Sequence, residues 1–158
     1  MTEGSLRRLF WKSARCAVYG FSASLVFGNH IGGFVYCEGT SMQPTIQHGD
    51  LLFVERLSVN WQNLHRGDIV AVLSPNDRNR LICKRLVCKE HDMSPSSNSE
   101  RIPVGHCYVL GDNAQDSMDS RYFGSISLGL VQDRAMLRIW PISRFGWLTT
   151  HSIWEKEQ

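Results

Sequence analysis

The chain has 158 residues, 42% of them hydrophobic and 20% charged, with 17 basic and 15 acidic side chains and a formal net charge of +2. That length suits one domain with a core of its own and excludes a large α/β barrel or a two-domain nucleotide enzyme. The near-even charge gives no global case for nucleic-acid binding, and the hydrophobic content excludes a wholly disordered chain.

Charge is unevenly placed along the chain. Residues 1–15 carry Arg7, Arg8, Lys12 and Arg15 against Glu3, and no formal charge follows from Cys16 to Tyr36. That uncharged stretch has about the length of a bilayer-spanning helix. Glycines, serines, Asn29 and His30 dilute it. Four readings compete for it: an uncleaved anchor, a buried helix of a soluble protein, a cleaved secretory signal and an Arg-rich mitochondrial targeting segment. The anchor reading is preferred, which assigns 1–36 to a basic start plus one N-terminal transmembrane helix and 37–158 to a catalytic domain. The cysteines, Cys16, Cys37, Cys83, Cys88 and Cys107, are odd in number and form no C-x-x-C. They read as small buried hydrophobes rather than a disulfide framework or a zinc site.

From residue 37 onward the chain reads as β. Gly39 and Pro44 bracket Ser41-Met42, which predicts a tight, rigid turn able to aim a serine hydroxyl; an ordinary Ser/Thr-rich turn is the plainer alternative. Short apolar runs follow at Asp50–Arg56, Asp68–Leu73, Arg80–Lys89, His106–Leu110 and Leu130–Ile139, bounded by turn signals at 48–50, 66–68, 74–77 and 111–113. This spacing predicts an all-β fold, a mostly antiparallel barrel or sandwich. Arg66-Gly67-Asp68 reads as the turn opening one strand.

Lys84 lies mid-strand with Ile82, Leu86 and Cys88 on its face by alternation. Burial among such neighbours lowers an amine's pKa from about 10.4 towards neutrality, and a neutral lysine can deprotonate a serine. A solvent-facing edge lysine is the alternative. Arg85 faces the other way and is expected in a structural ion pair. The segment His91–Arg101 reads as an exposed loop between strands. The loop Gly111–Arg121 crowds polar side chains that could orient an amine and an arginine; it lacks the glycine and glutamate positions of a calcium loop, so no metal and no cofactor is expected. Beyond Pro141, Phe145, Trp147 and Trp154 are expected to pack on the barrel, with a membrane surface as the second option.

In order, Ser41-Met42-x-Pro44-Thr45, Gly67-Asp68-Ile69-Val70, Lys84-Arg85 and Gly111-Asp112-Asn113 with Ser117, Asp119, Ser120 and Arg121 resemble the type I signal peptidase family, membrane-bound Ser-Lys endopeptidases. The resemblance covers roughly residues 35–141. The short chain and the stretches IQHGD, RGDIV, ICKR and IWP are most similar to the mitochondrial inner-membrane branch. The resemblance implies Ser41 as nucleophile and Lys84 as general base. Ser117 would orient the amine, Asp119 and Arg121 would form a supporting ion pair, and the Ser41 N–H would serve as oxyanion donor. Gly39 stands where bacterial members carry a serine hydroxyl, so that second donor is missing or supplied otherwise. The resemblance further implies precursor proteins with signal or sorting peptides as substrates. It implies a membrane, a hetero-oligomer with a second related catalytic subunit, a domain facing the intermembrane space and no nucleic acid. The competing readings are a non-catalytic assembly subunit, a soluble self-cleaving repressor and a β-barrel binding module.

Overall fold

A computed structural model describes residues 11, 15–20, 31–77, 79–95 and 100–148. Among the described residues eight strands make up the sheet: β1 (Gly32–Tyr36), β2 (Leu51–Glu55), β3 (Ile69–Leu73), β4 (Leu81–Cys88), β5 (His106–Leu110), β6 (Ile126–Ser127), β7 (Val131–Trp140) and β8 (Gly146–Trp147). The order is β1-β2-β7-β3-β4-β5-β6, with β8 on β7, and every pairing is antiparallel. The five apolar runs read from the sequence are β2, β3, β4, β5 and β7, each within one or two residues of its expected limits.

The centre of the sheet is β3. Its IVAVL sequence has no polar residue, as a strand covered on both faces requires. Val70 and Val72 enter one cluster with Leu86, Val109 and Val131, while Ile69 enters another with Leu52, Val54 and Ala135. Each fully buried aliphatic side chain contributes about 1.5–3 kcal/mol relative to an exposed one. Two layers of core on one strand therefore fix β3 and its neighbours β4 and β7 most firmly.

Two of the strand edges left open among the described residues bear on the site described below. Among the described residues β1 pairs with β2 alone. In β4, residues Leu81–Lys84 pair with β3, but the pairing with β5 begins only at Arg85. The backbone of Leu81–Lys84 thus has one side without a strand partner.

The structure corrects two expectations. The stretch assigned to the anchor runs to Tyr36, but Gly32–Tyr36 is β1, so the sheet begins at Gly32 rather than after residue 36. Lack of charge marks a segment as apolar without separating bilayer from sheet, and Phe34, Val35 and Tyr36 are good strand formers. Residues 15–20 are helical and exposed, and 21–30, the middle of the expected anchor, lie outside the described residues. Among the described residues no helix is long and apolar enough to cross a membrane. The second correction concerns the C-terminal aromatics. Phe145 and Trp147 are exposed rather than packed on the barrel, and Trp154 lies outside the described residues.

Their exposure is part of a larger pattern. Phe34 pairs with Phe53, Phe53 with Leu137, and Leu137 with Trp147; Tyr36 pairs with Leu51, and Leu51 with Trp140. Directly paired residues project from the same side of a sheet. One outer face therefore carries two apolar rows, in which Phe34, Tyr36, Trp140 and Trp147 are all more than half exposed.

Candidate active site

The turn after β1 carries Ser41. Gly39 has φ +95°, a conformation open to glycine and strained for other residues, and it turns the chain out of the strand. Met42 and Ile46 then plug into the core beside Leu52 and Val54, and Ile46 N–H donates to the Met42 carbonyl at 2.8 Å. Ser41 sits between a turn that only glycine makes easily and two buried anchors, so its hydroxyl is held in place.

Lys84 reaches it from β4. The Nζ–Oγ distance to Ser41 is 2.8 Å. Lys84 is 3% exposed, and its main-chain partner across the sheet is Val70. Burial pushes the amine below the ordinary lysine value, Asp119 and Cys83 oppose that shift, and Arg80 and Arg121 add to it. The ammonium is the form that burial penalises, so the neutral amine, which can take a proton, is reached at lower pH than in a solvated lysine.

The loop from Gly111 to Arg121 holds both partners from below. Asn113 N–H donates to the Ser41 carbonyl at 3.0 Å and Asn113 Nδ2 to the Thr40 carbonyl at 3.2 Å; Thr40 Oγ1 donates to Asp116. A Cβ on Gly111 would lie 2.2 Å from Ser117 Oγ and 2.5 Å from the Ser41 carbonyl oxygen. Gly111 is therefore required for the close approach of the two segments. Next to it, Asp112 forms a bidentate pair with Arg85, with Nε–Oδ1 2.8 Å and Nη2–Oδ2 2.6 Å. Both side chains are almost fully buried, and Arg85 also donates to the Gly67 carbonyl. The expected ion pair of Arg85 is this one.

Asp119 is fully buried at the start of the short helix Ser120–Phe123, which it caps by accepting from Arg121 N–H. It accepts from Arg121 Nη2 at 2.6 Å, Gly111 N–H at 2.9 Å and Ser117 Oγ at 2.7 Å. Burial by itself pushes the Asp119 carboxyl up, but the bonds from Arg121, Gly111 and Ser117 outweigh it and hold the group below the usual carboxylate range. Asp119 and Arg121 are thus brought together as expected. Ser117 lies in the same cluster, yet its hydroxyl donates to Asp119; the hydrogen bond of the lysine amine goes to Ser41.

Ser41, Met42, Cys37, Ile82, Cys83 and Lys84 line a cleft of about 630 Å³, with Glu38, Asp77 and Arg80 around its opening. It runs between the end of β1 and the first half of β4, where the two unpaired edges lie. Among the described residues no group of histidines, cysteines or acids is arranged to hold a metal ion.

A held serine lies in bonding contact with a buried lysine, so a hydroxyl and an amine able to take its proton are within reach of each other. The family pattern described as signal peptidase, peptidase S26, matches residues 11–89 and 86–140. The chain belongs to this family. It is 42% identical over 155 residues to mitochondrial inner membrane protease subunit 1 of Mus musculus, covering 94% of this chain and 93% of that protein. It is 30% identical over 148 residues to mitochondrial inner membrane protease subunit 2 of the same species, covering 88% and 85%. Among solved structures, a signal peptidase I from Enterococcus faecalis matches with 25% identity and a TM-score of 0.37, over 45% of this chain and 95% of that one. As a peptidase S26 signal peptidase, the chain is a serine protease.

Five residues at this site escape sequence reasoning. Asn113 stands in a family motif with no role attached, although a side chain with both donor and acceptor beside a glycine suits it to bridging two loops. Thr40 and Asp116 carry no signal beyond being polar. The meeting of Cys37 with Cys83 has none, because the two are far apart in the chain.

Proposed function

We propose that this protein is a membrane-bound endopeptidase that removes signal or sorting peptides from precursor proteins delivered to the mitochondrial intermembrane space. Ser41 is the nucleophile and Lys84 the general base. The observation that carries the reading is the 2.8 Å contact between a buried lysine amine and a serine hydroxyl at the floor of an open cleft.

The substrate enters as an extended strand between β1 and Leu81–Lys84, whose free backbone groups supply its hydrogen bonds. Neutral Lys84 takes the Ser41 proton as Oγ attacks the scissile carbonyl. The ammonium so formed is desolvated, and the nearby Asp119 carboxylate, fixed by Arg121, offsets that cost. The Ser41 N–H stabilises the oxyanion. The ammonium then gives its proton to the leaving amine, and water attacks the acyl-enzyme with Lys84 again as base. Ser117 ties Asp119 to the amine's surroundings.

Two features support a place at the membrane. The exposed rows of Phe34, Tyr36, Trp140 and Trp147 form one outer face that meets the cleft at Tyr36, and exposed aromatic rings of this kind suit the headgroup level. Arg7, Arg8, Lys12 and Arg15 precede the uncharged stretch, which by the charge rule keeps the N-terminus in the matrix and directs the catalytic domain to the intermembrane space. Similarity to proteins named as subunits 1 and 2 of one protease supports a complex with a second related subunit.

The test replaces Ser41 by Ala and, separately, Lys84 by Met in the full membrane-bound chain, and follows maturation of inner-membrane precursors with each variant as the sole copy. Each variant is expected to lose at least about a thousandfold in processing rate, as removal of a member of a catalytic constellation does. Normal maturation by either would overturn the assignment.

A further inference from the structure

Two thiols that the mechanism does not use meet in the cleft. Cys37 follows β1 and is buried, Cys83 precedes Lys84 on β4, and both line the cleft. They pack in one apolar cluster with Met42 and Ile69, close enough for each thiol to bear on the ionisation of the other. Their strands are not partners in the sheet, so this contact spans the gap between the walls. Cys88 and Cys107 belong to other clusters, and Cys88 Sγ contacts the Met93 carbonyl instead.

We propose that Cys37 and Cys83 form an oxidisable dithiol, whose disulfide draws the walls of the cleft together and shuts the substrate strand out. The consequence for peptide entry rests on the reading of the cleft as the substrate site; the bond itself does not. A strand bonded on both sides needs its neighbours about 9.6 Å apart, twice the spacing of about 4.8 Å between adjacent strands. A disulfide holds its two Cα atoms within about 6.8 Å. Side chains from walls one strand apart can touch through free thiols, but they cannot be covalently joined without narrowing the gap.

The chemistry is thiol–disulfide exchange with glutathione disulfide as oxidant. Cys83 is the attacking group: the adjoining Cys37 thiol favours its thiolate, burial opposes this, and neighbouring Lys84 adds to it. The same contact, with burial, pushes the Cys37 thiol up. The Cys83 thiolate attacks one sulfur of the oxidant and releases one glutathione thiolate, which takes up the proton Cys83 lost. With the Cys83 charge gone, Cys37 loses its proton more readily. Its thiolate attacks the Cys83 sulfur of the mixed disulfide and expels the second glutathione, which is protonated in turn. Two protein thiols become one disulfide, and one glutathione disulfide becomes two glutathiones.

The full chain in its membrane is equilibrated with graded mixtures of reduced and oxidised glutathione. Free thiols are alkylated and the peptides weighed by mass spectrometry, while precursor cleavage is measured in parallel. A linked Cys37–Cys83 peptide is expected. Cleavage should fall in proportion to the linked fraction and return with dithiothreitol. In Cys37→Val and Cys83→Val, each compared with its own reduced sample, the oxidant should cause no loss. Three results would overturn the proposal: both thiols alkylated at every mixture, a linked peptide with undiminished cleavage, or oxidant sensitivity that survives Cys37→Val. Formation of the linked peptide is read without any activity. Absence of cleavage by the fully reduced protein therefore counts against the protease reading alone, and absence of the linked peptide against the dithiol alone.

Discussion

At the residue scale, the proposed role of Lys84 as base sets the expected response to pH. Only the neutral amine can accept the Ser41 proton, so activity should rise as pH passes upward through its pKa, which burial sets below the usual lysine value of about 10.4. Asp119 opposes that depression. Asp119→Asn should move the rising limb to lower pH while lowering the plateau, because the ammonium formed during attack loses its counter-charge. A pH–rate profile of the variant on the alkaline side of wild type would contradict this. Stability follows the same group. Between the depressed folded pKa and the ordinary value, the unfolded chain binds a proton that the folded one has released, so stability rises with pH across that window. Thermal unfolding of Lys84→Met should lack that rise, and a parallel pH dependence would show that the amine is not desolvated. Ser41, Lys84, Asp119 and Arg121 were legible as residues because each stands in a short motif in family order. The partner of the Ser117 hydroxyl was not, since a serine fits either the amine or the carboxylate and only placement distinguishes them.

At the element scale, the site depends on β4 and the Gly111–Arg121 loop being locked in register. Their lock is the Arg85–Asp112 pair, with side chains 1% and 0% exposed. Removing one partner leaves the other charge buried and uncompensated, which costs about 3–5 kcal/mol. Asp112→Ala should lower unfolding stability by about that much, measured by urea titration of the detergent-solubilised chain, and should cost activity by freeing Lys84's strand from the loop. A loss below about 1 kcal/mol would mean that water reaches the guanidinium. Strands β2, β3, β4, β5 and β7 were legible because glycines and Asp/Asn turns punctuate apolar runs of strand length. β1 was not, because it continues an uncharged stretch that fits a bilayer equally well. β6 and β8, two residues each, carry no periodic signal.

At the scale of the whole molecule, the sheet has one face that is not finished for water. Phe34 and Tyr36 of β1, Trp140 of β7 and Trp147 of β8 stand in two rows of paired residues across the sheet, and Tyr36 also lines the cleft. Replacing Phe34, Trp140 and Trp147 together by serine in the full chain should leave cleavage of a short soluble peptide intact. It should slow processing of membrane-inserted precursors, measured side by side with the peptide. Unchanged processing of precursors would remove this face from the account. The sequence displayed these aromatics but not their common side, which depends on register between strands distant in the chain.

The unpaired edges of β1 and Leu81–Lys84 have a consequence for the enzyme at rest. An exposed strand edge is a template for any other extended chain, including a second copy of the same protein, and such edges drive self-association unless something discourages it. Glu38, Asp77 and Arg80 ring this opening, and charges beside an open edge are a common safeguard. On the proposed reading the idle protease is an incomplete sheet guarded by charge, and its substrate would be, for the lifetime of the complex, the missing strand. A precursor entering there would then be selected by the same few backbone groups and charges that keep the empty enzyme from binding itself.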